Sequence, residues 1–217
     1  GELALEQLLT KNLKDKNNCA SGLTGIWYKK DGEIVKQGTA PFLTNIDEAP
    51  FPDYNLSDHY IIDNSLLKPL TLEIFRQYYP ASSQTHRLIF SRGCPHACAY
   101  CCNSFFRSMY DCNYFRLRSA KSAIKEMVEI KKMFPFMTFF KIMDDAFTAN
   151  SLPWIEEFSE LYKKEVSVPF SCLASPLTLT AEKLAYLVAA GAKTIQMGLQ
   201  SGSDRINREI YLRLVSA

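Results

Sequence analysis

The sequence predicts an α/β fold: parallel strands with outer helices, preceded by an irregular α+β arm. Three observations carry this. From residue 87 onward, short β-prone runs alternate with segments whose apolar residues recur every three or four positions. The helical segments carry start and stop signals at Ser119, Pro153, Thr180 and Gly191. Before residue 80 that rhythm is absent, and glycines and prolines punctuate the chain instead.

In order, Leu3–Leu9 is a short helix with one apolar face. Ile26-Trp-Tyr28 and Glu33-Ile-Val35 flank Asp31-Gly32, the signature of a small hairpin. Ala49-Pro-Phe-Pro-Asp-Tyr54 is extended, because proline bars helix at itself and at the residue before it. Residues 1–80 therefore read as a connecting arm, and residues 81–217 as the domain. Arg87–Ser91 is the first buried strand. Ser119 caps a helix carrying Ala120, Ala123, Ile124, Met127, Val128 and Ile130 on one face. Thr138–Met143 is the second strand, and Trp154, Ile155, Phe158, Leu161 and Tyr162 mark the next helix, with Pro153 in its first turn. Val168–Leu173 is the third strand. Thr180 caps a helix with Leu184, Leu187 and Val188 inward, Gly191 ends it, and Lys193–Gly198 is the fourth strand. Successive strand-then-helix units imply a parallel sheet with helical crossovers.

Composition narrows the function classes. At 217 residues and 47% hydrophobic, the chain can bury a substantial core. The net charge is +2, from 25 basic and 23 acidic residues, with no polybasic block, so nothing indicates binding to nucleic acid. No apolar run has transmembrane length, and the N-terminus has no signal-peptide pattern. The seven cysteines, an odd number with four of them inside residues 94–102, do not form a disulfide framework, and a reducing cytoplasm fits them better. The chain starts without methionine and stops inside a charged apolar stretch, so a fragment of a longer protein, cut after the fourth strand, is the expectation.

The chemistry concentrates after the first strand, in Cys94-Pro-His-Ala-Cys-Ala-Tyr-Cys-Cys-Asn103. Three thiolates at this spacing can hold three irons of a cubane cluster and leave the fourth iron open; clusters that only carry electrons are usually closed by four cysteines. A zinc site with Cys102, Cys112 or His96 as fourth ligand is the alternative, though no second Cys-x-x-Cys knuckle exists. In parallel α/β folds the loops after the strand C-termini gather at one end. The cysteines, Asp144-Asp145, Ser175 and Gln200-Ser201 follow the four strands in turn, so one shared site is expected. Cys102 reads as a non-ligand, Cys112 and Cys172 as incidental thiols, and Arg116 and Arg118 as surface ion-pairing residues.

The cysteine run resembles the signature of the radical S-adenosylmethionine (SAM) enzymes, and the resemblance covers about residues 87–213. It implies a partial radical-SAM-type barrel. It also implies a [4Fe–4S] cluster on Cys94, Cys98 and Cys101, and reductive cleavage of SAM to a 5′-deoxyadenosyl radical. Tyr100 matches the position that packs near the adenine. Asp144 and Asp145 stand where the family has a second-strand motif for the SAM amino group, with acids in place of glycines. Gly198-Leu-Gln-Ser201 resembles the fourth-strand motif for the SAM ribose or carboxylate, with Gln200 replacing an acid; Ser175 belongs to the same expected pocket. Gly1-Glu2 and Phe51-Pro-Asp-Tyr54 look like the end of a cobalamin-binding domain and the arm that follows it. The implied parent is a cobalamin-dependent methyltransferase or related radical enzyme. It would act on a small-molecule or natural-product substrate and take electrons from a donor such as flavodoxin or ferredoxin. The chain by itself is expected to bind no cobalamin and to perform no full turnover. The rival readings are a radical SAM methylthiotransferase and a non-catalytic metal-binding or electron-transfer module.

Overall fold

The computed structural model describes residues 1–12, 20–78, 84–110 and 114–213. They form two units, Gly1–Pro50 and Phe51–Ala217. The division falls well before residue 80, where the sequence reading set it, because Tyr54, Leu56 and Phe75 of the expected arm pack on the main core. In the first unit, α1 (Glu2–Asn12) is followed by the hairpin of β1 (Trp27–Lys30) and β2 (Glu33–Lys36) across the expected Asp31-Gly32 turn.

The second unit opens with features the sequence reading did not include. Strands β3 (Tyr60–Asp63) and β4 (Leu66–Pro69) pair as a hairpin, and α2 (Leu72–Tyr78) follows. Their turn is Asn64-Ser65, both residues at positive φ. It lacks the glycine that marks most such turns, so the sequence signal is weak.

Next come β5 (Thr85–Leu88), the two-residue β6 (Ser91–Arg92), α3 (Cys102–Tyr110), and β7 (Arg116–Leu117), which pairs with β6. The rest alternates as expected: α4 (Ala120–Met133), β8 (Phe139–Ile142), α5 (Leu152–Leu161), β9 (Phe170–Ala174), α6 (Ala181–Ala190) and β10 (Ala192–Met197). Four strands make a parallel sheet in the order β10-β9-β8-β5. The caps fall where predicted: Ser119 Oγ accepts from Ser122 N, Thr180 Oγ1 from Lys183 N, and Gly191 ends α6. Helix α4 buries Ala123, Ile124, Met127 and Ile130 against the sheet, and α5 contributes Ile155 and Phe158. Phe158 packs among Trp154, Tyr162 and Phe170, with ring centroids 5.2 to 6.2 Å away. Arg118 is not on the surface. It is buried over the Phe51 ring with its Nε 3.8 Å from Glu126, whose carboxylate also accepts from Tyr54 Oη at 2.8 Å. No helix among the described residues is long and apolar enough to cross a membrane.

Strand β5 ends at Leu88, not at Ser91 as the β-prone run suggested, and the cause is one carboxylate. Asp144, fully buried just past β8, accepts from the backbone N–H of Phe90 at 3.1 Å and from that of Ser91. Those amides leave the sheet ladder, and the chain turns toward the cysteine loop. Burial pushes the Asp144 carboxyl above the ordinary carboxylate range, against the pull of the hydrogen bonds it accepts.

Two predictions follow from this packing. Asp144→Ala leaves two buried amides without an acceptor and should cost about 2 kcal/mol or more in urea unfolding; Asp144→Asn keeps an acceptor oxygen and should cost clearly less. Equal losses in the two variants would show that the carboxylate is not a backbone acceptor. The second concerns His86, buried against the rings of Tyr54, Phe134 and Phe140, whose pKa burial lowers to about 4. The folded protein keeps this imidazole neutral, whereas the unfolded chain protonates it below about 6.5. Stability is therefore lost as pH falls from about 6.5 through about 4, by up to about 3 kcal/mol. His86→Phe should flatten that part of the stability–pH curve, and unchanged curvature would refute the assignment.

Candidate active site

The loops at the C-terminal ends of the four parallel strands surround one cavity of about 380 Å³. Of the residues singled out from the sequence, Cys94, Cys98, Tyr100, Cys101, Asp145, Ser175 and Gln200 line it; Asp144 and Ser201 do not.

The cysteine loop is held from several sides. Gly93 has φ +81°, and a Cβ there would meet the Tyr114 ring and its carbonyl oxygen at under 3 Å, so only glycine lets the chain pass beneath that ring. Cys98 O accepts from Cys101 N at 3.1 Å and from Ser104 Oγ at 2.6 Å, which closes the turn between the second and third cysteines. Ala99 N donates to Tyr211 O, and Arg107 Nη1 to Pro95 O. Burial pushes the Cys94 thiol up, with Asp145, Cys98 and Cys101 nearby adding to the shift. Binding a metal there would displace that proton. Among the described residues, no three His, Cys, Asp or Glu side chains converge on a position for a single ion. The three thiols share a cavity without forming a ready mononuclear site. Cys102 begins α3 and is exposed. Cys172 is buried in β9, its thiol raised to about 12 by burial and the nearby Asp144. Cys19 and Cys112 lie outside the described residues.

The two acids after β8 part company. Asp145 faces the cavity and accepts from Asn103 Nδ2 at 2.9 Å. Asp144 was expected beside it as a cofactor contact; instead its carboxylate is engaged by the Phe90 and Ser91 amides. Adjacent residues leaving a strand point to opposite sides, so only one of the pair can face the cavity. The same logic divides Gln200 from Ser201. Gln200, at φ +69°, folds its side chain back over the end of β10, which the missing Cβ of Gly198 allows: one there would lie 2.6 Å from Gln200 Nε2. Ser201 Oγ accepts from Ser203 N, and its carbonyl accepts from Asn207 Nδ2 at 2.8 Å, so Ser201 organises the following turn. Ser175 lines the cavity while its Oγ accepts from Leu177 N, a turn-starting role. Tyr100 Oη accepts from Arg213 Nη1 at 3.1 Å, and the ring stands edge-on to Tyr211 at 5.0 Å.

Two lining residues, Asn103 and Arg213, went unassigned in the sequence reading, and His96, named there only as an alternative zinc ligand, lines the cavity as well. His96 Nε2 is buried without a hydrogen-bond partner, and burial and Arg213 both lower its pKa. Arg213 is 9% exposed and, among the described residues, has no carboxylate partner. It reaches the cavity because the π-helical turn Ile206–Ile210 brings the chain back, with Arg213 N donating to Asn207 O. The only sequence signal was an arginine near the polar fourth loop, and nothing in its spacing predicted the return.

The radical SAM superfamily pattern matches residues 88–215. Over 208 residues the chain is 23% identical to an uncharacterized methyltransferase of Pyrococcus horikoshii, covering 95% of this chain and 40% of that protein. It is 22% identical over 212 residues to the anaerobic magnesium-protoporphyrin IX monomethyl ester cyclase of Synechocystis, covering 97% of this chain and 38% of the relative. The radical SAM methyltransferase TsrM of Kitasatospora setae superposes over the whole chain and 40% of its own. The TM-score is 0.62 at 12% identity for its structure with cobalamin and a [4Fe–4S] cluster. For its structure with tryptophan and a SAM analogue, the TM-score is 0.64 at 15% identity. The chain thus spans about 40% of the length of the proteins it resembles. With the match extending over more than half of its residues, from the end of β5 through the cysteine run and the strands β8, β9 and β10, the chain belongs to the radical SAM superfamily.

Proposed function

We propose that this chain carries the cofactor-binding part of a cobalamin-dependent radical SAM enzyme, a methyltransferase in the first instance. The observation that carries the reading is the convergence of Cys94, Cys98 and Cys101 on a cavity that also holds an acid, Asp145, and a buried guanidinium, Arg213, with no carboxylate partner among the described residues. The donor set suits a [4Fe–4S] cluster: three thiols, and no fourth cysteine lining the cavity among the described residues. A cluster bound there supplies an electron and an open iron position for reductive cleavage of SAM.

The remaining groups suit SAM itself. Asp145 offers a carboxylate to an ammonium. Arg213 offers a guanidinium to a carboxylate, and a buried charge without a counter-ion is costly enough to favour an anionic ligand. Gln200 can donate to and accept from ribose hydroxyls. Tyr100 presents an aromatic surface beside the third cysteine, and Leu173, Ala174 and Met197 provide apolar wall that excludes water. The radical chemistry belongs to the cofactors; the chain binds, orients and shields. Methyl transfer is supported by the names of the methyltransferase relatives, and the TsrM structure with cobalamin supports a cobalamin-linked parent. A reducing cytoplasmic setting, with flavodoxin or ferredoxin as electron donor and a small-molecule substrate, completes the proposal.

Anaerobic reconstitution should yield about four irons per chain. Changing Cys94, Cys98 or Cys101 to Ala should abolish the cluster, while Cys102→Ala, at an exposed position, should retain it. Stoichiometric zinc without iron, or a cluster that survives loss of Cys98, would reject the reading. Titration of the reconstituted protein with SAM should then separate the lining residues from their neighbours. Arg213→Met should weaken binding by roughly 10- to 100-fold, the worth of a charged hydrogen bond, and Gln200→Ala by several-fold. Ser201→Ala should leave affinity unchanged, and a loss there equal to that of Gln200→Ala would mean that the cofactor lies elsewhere.

A further inference from the structure

We infer that Asn103 sets the reduction potential of the cluster held by Cys101, and that Asp145 governs this by fixing the Asn103 amide. The inference rests on the reading of Cys94, Cys98 and Cys101 as cluster ligands. It starts from one buried amide shared between two groups: Asn103 Nδ2 lies 3.8 Å from Cys101 Sγ and 2.9 Å from Asp145 Oδ2. A carboxamide nitrogen carries two hydrogens, so it can serve both acceptors at once. Asn103 is 9% exposed, so its amide is largely shielded from water, although Asp145 itself is exposed on the cavity side.

The two bonds are unequal. The bond to Asp145 is charge-assisted and the stronger, so it holds the amide plane. The second N–H is thereby left for the sulfur. Asn103 stands in the first turn of α3, where Ser104 N donates to Cys101 O at 3.1 Å, so the backbone holds donor and ligand in register.

Hydrogen bonds to ligand sulfurs are among a protein's means of tuning cluster potential. The sign follows from charge. An electron entering the cluster increases negative charge on its sulfurs, so an N–H aimed at Cys101 Sγ stabilises the reduced form more and raises the potential. Asp145 contributes twice: its charge disfavours the added electron through space, and its grip on Asn103 keeps the donor aimed. Removing Asn103 leaves only the first effect.

The test is an EPR-monitored redox titration of the reconstituted full chain, with dithionite as the one-electron donor. The proteins compared are wild type, Asn103→Leu, Asp145→Asn and the double variant, with iron content measured for each. Asn103→Leu should lower the reduced-to-oxidised ratio at fixed potential by about tenfold, close to 59 mV for a one-electron couple. The shifts of the two single variants should not add in the double variant, as expected for side chains in one network. Full iron content with an unchanged potential in Asn103→Leu overturns the inference, and so do strictly additive shifts. Asn103→Ala repeats the deletion without the bulk of leucine; if both variants lose the cluster, Asn103 is an assembly residue and the tuning role is refuted. Failure of the wild-type chain to take up four irons is read in iron content rather than in potential, and it rejects the cysteine assignment and this inference with it.

Discussion

The buried Asp144 carboxylate is the joint on which the site depends. It stands just past the end of β8 and receives the amides of Phe90 and Ser91, the residues that carry the chain out of β5. Without an acceptor those two N–H groups would be buried and unpaired, a state folded proteins avoid. With it, β5 stops at Leu88, and the next residues swing into the short β6–β7 pairing that leads to Gly93 and the first cysteine. The neighbouring Asp145 is turned the other way, into the cavity. One side chain thus sets both the path of the cysteine loop and the orientation of the acid opposite it.

The cavity that results is electrically mixed. Three thiols, one of them raised by burial, share the cavity with an acid and an arginine. Among the described residues neither Asp145 nor Arg213 has a close partner of opposite sign: Asp145 is met by the neutral Asn103 amide, and Arg213 by the neutral Tyr100 hydroxyl. Arg213 is buried, and a buried charge held only by a neutral acceptor is expensive for stability alone, whereas Asp145 is exposed. In the function proposed above, a zwitterionic ligand would satisfy both groups.

Much of this was legible in the sequence. The strand and helix rhythm after residue 87 predicted the four parallel strands and the caps at Ser119, Thr180 and Gly191, because burial on one face imposes a period that does not depend on neighbours distant in sequence. The spacing of Cys94, Cys98 and Cys101 predicted a shared position, since residues so close along the chain cannot be far apart in space. The β3–β4 hairpin was missed because Asn64-Ser65 makes its turn without a glycine. Arg118 was misread because the Phe51 ring beneath it, and the Tyr54 hydroxyl that binds its partner Glu126, come from a distant part of the chain.

What the sequence by itself determined was the order of the elements, the end of the sheet at which the polar loops gather, and the set of residue types available there. Which member of each adjacent pair faces the cavity was decided only by the tertiary structure. Asp144 against Asp145, and Gln200 against Ser201, are equivalent as text. They differ because one of each pair is engaged by backbone groups brought from elsewhere in the fold or held in a turn. Arg213 reaches the cavity for the same kind of reason, through the turn Ile206–Ile210 that carries the chain back over the cysteine loop. Local periodicity can be read one residue at a time, but a hydrogen bond between positions 90 and 144 exists only once the sheet has brought them together.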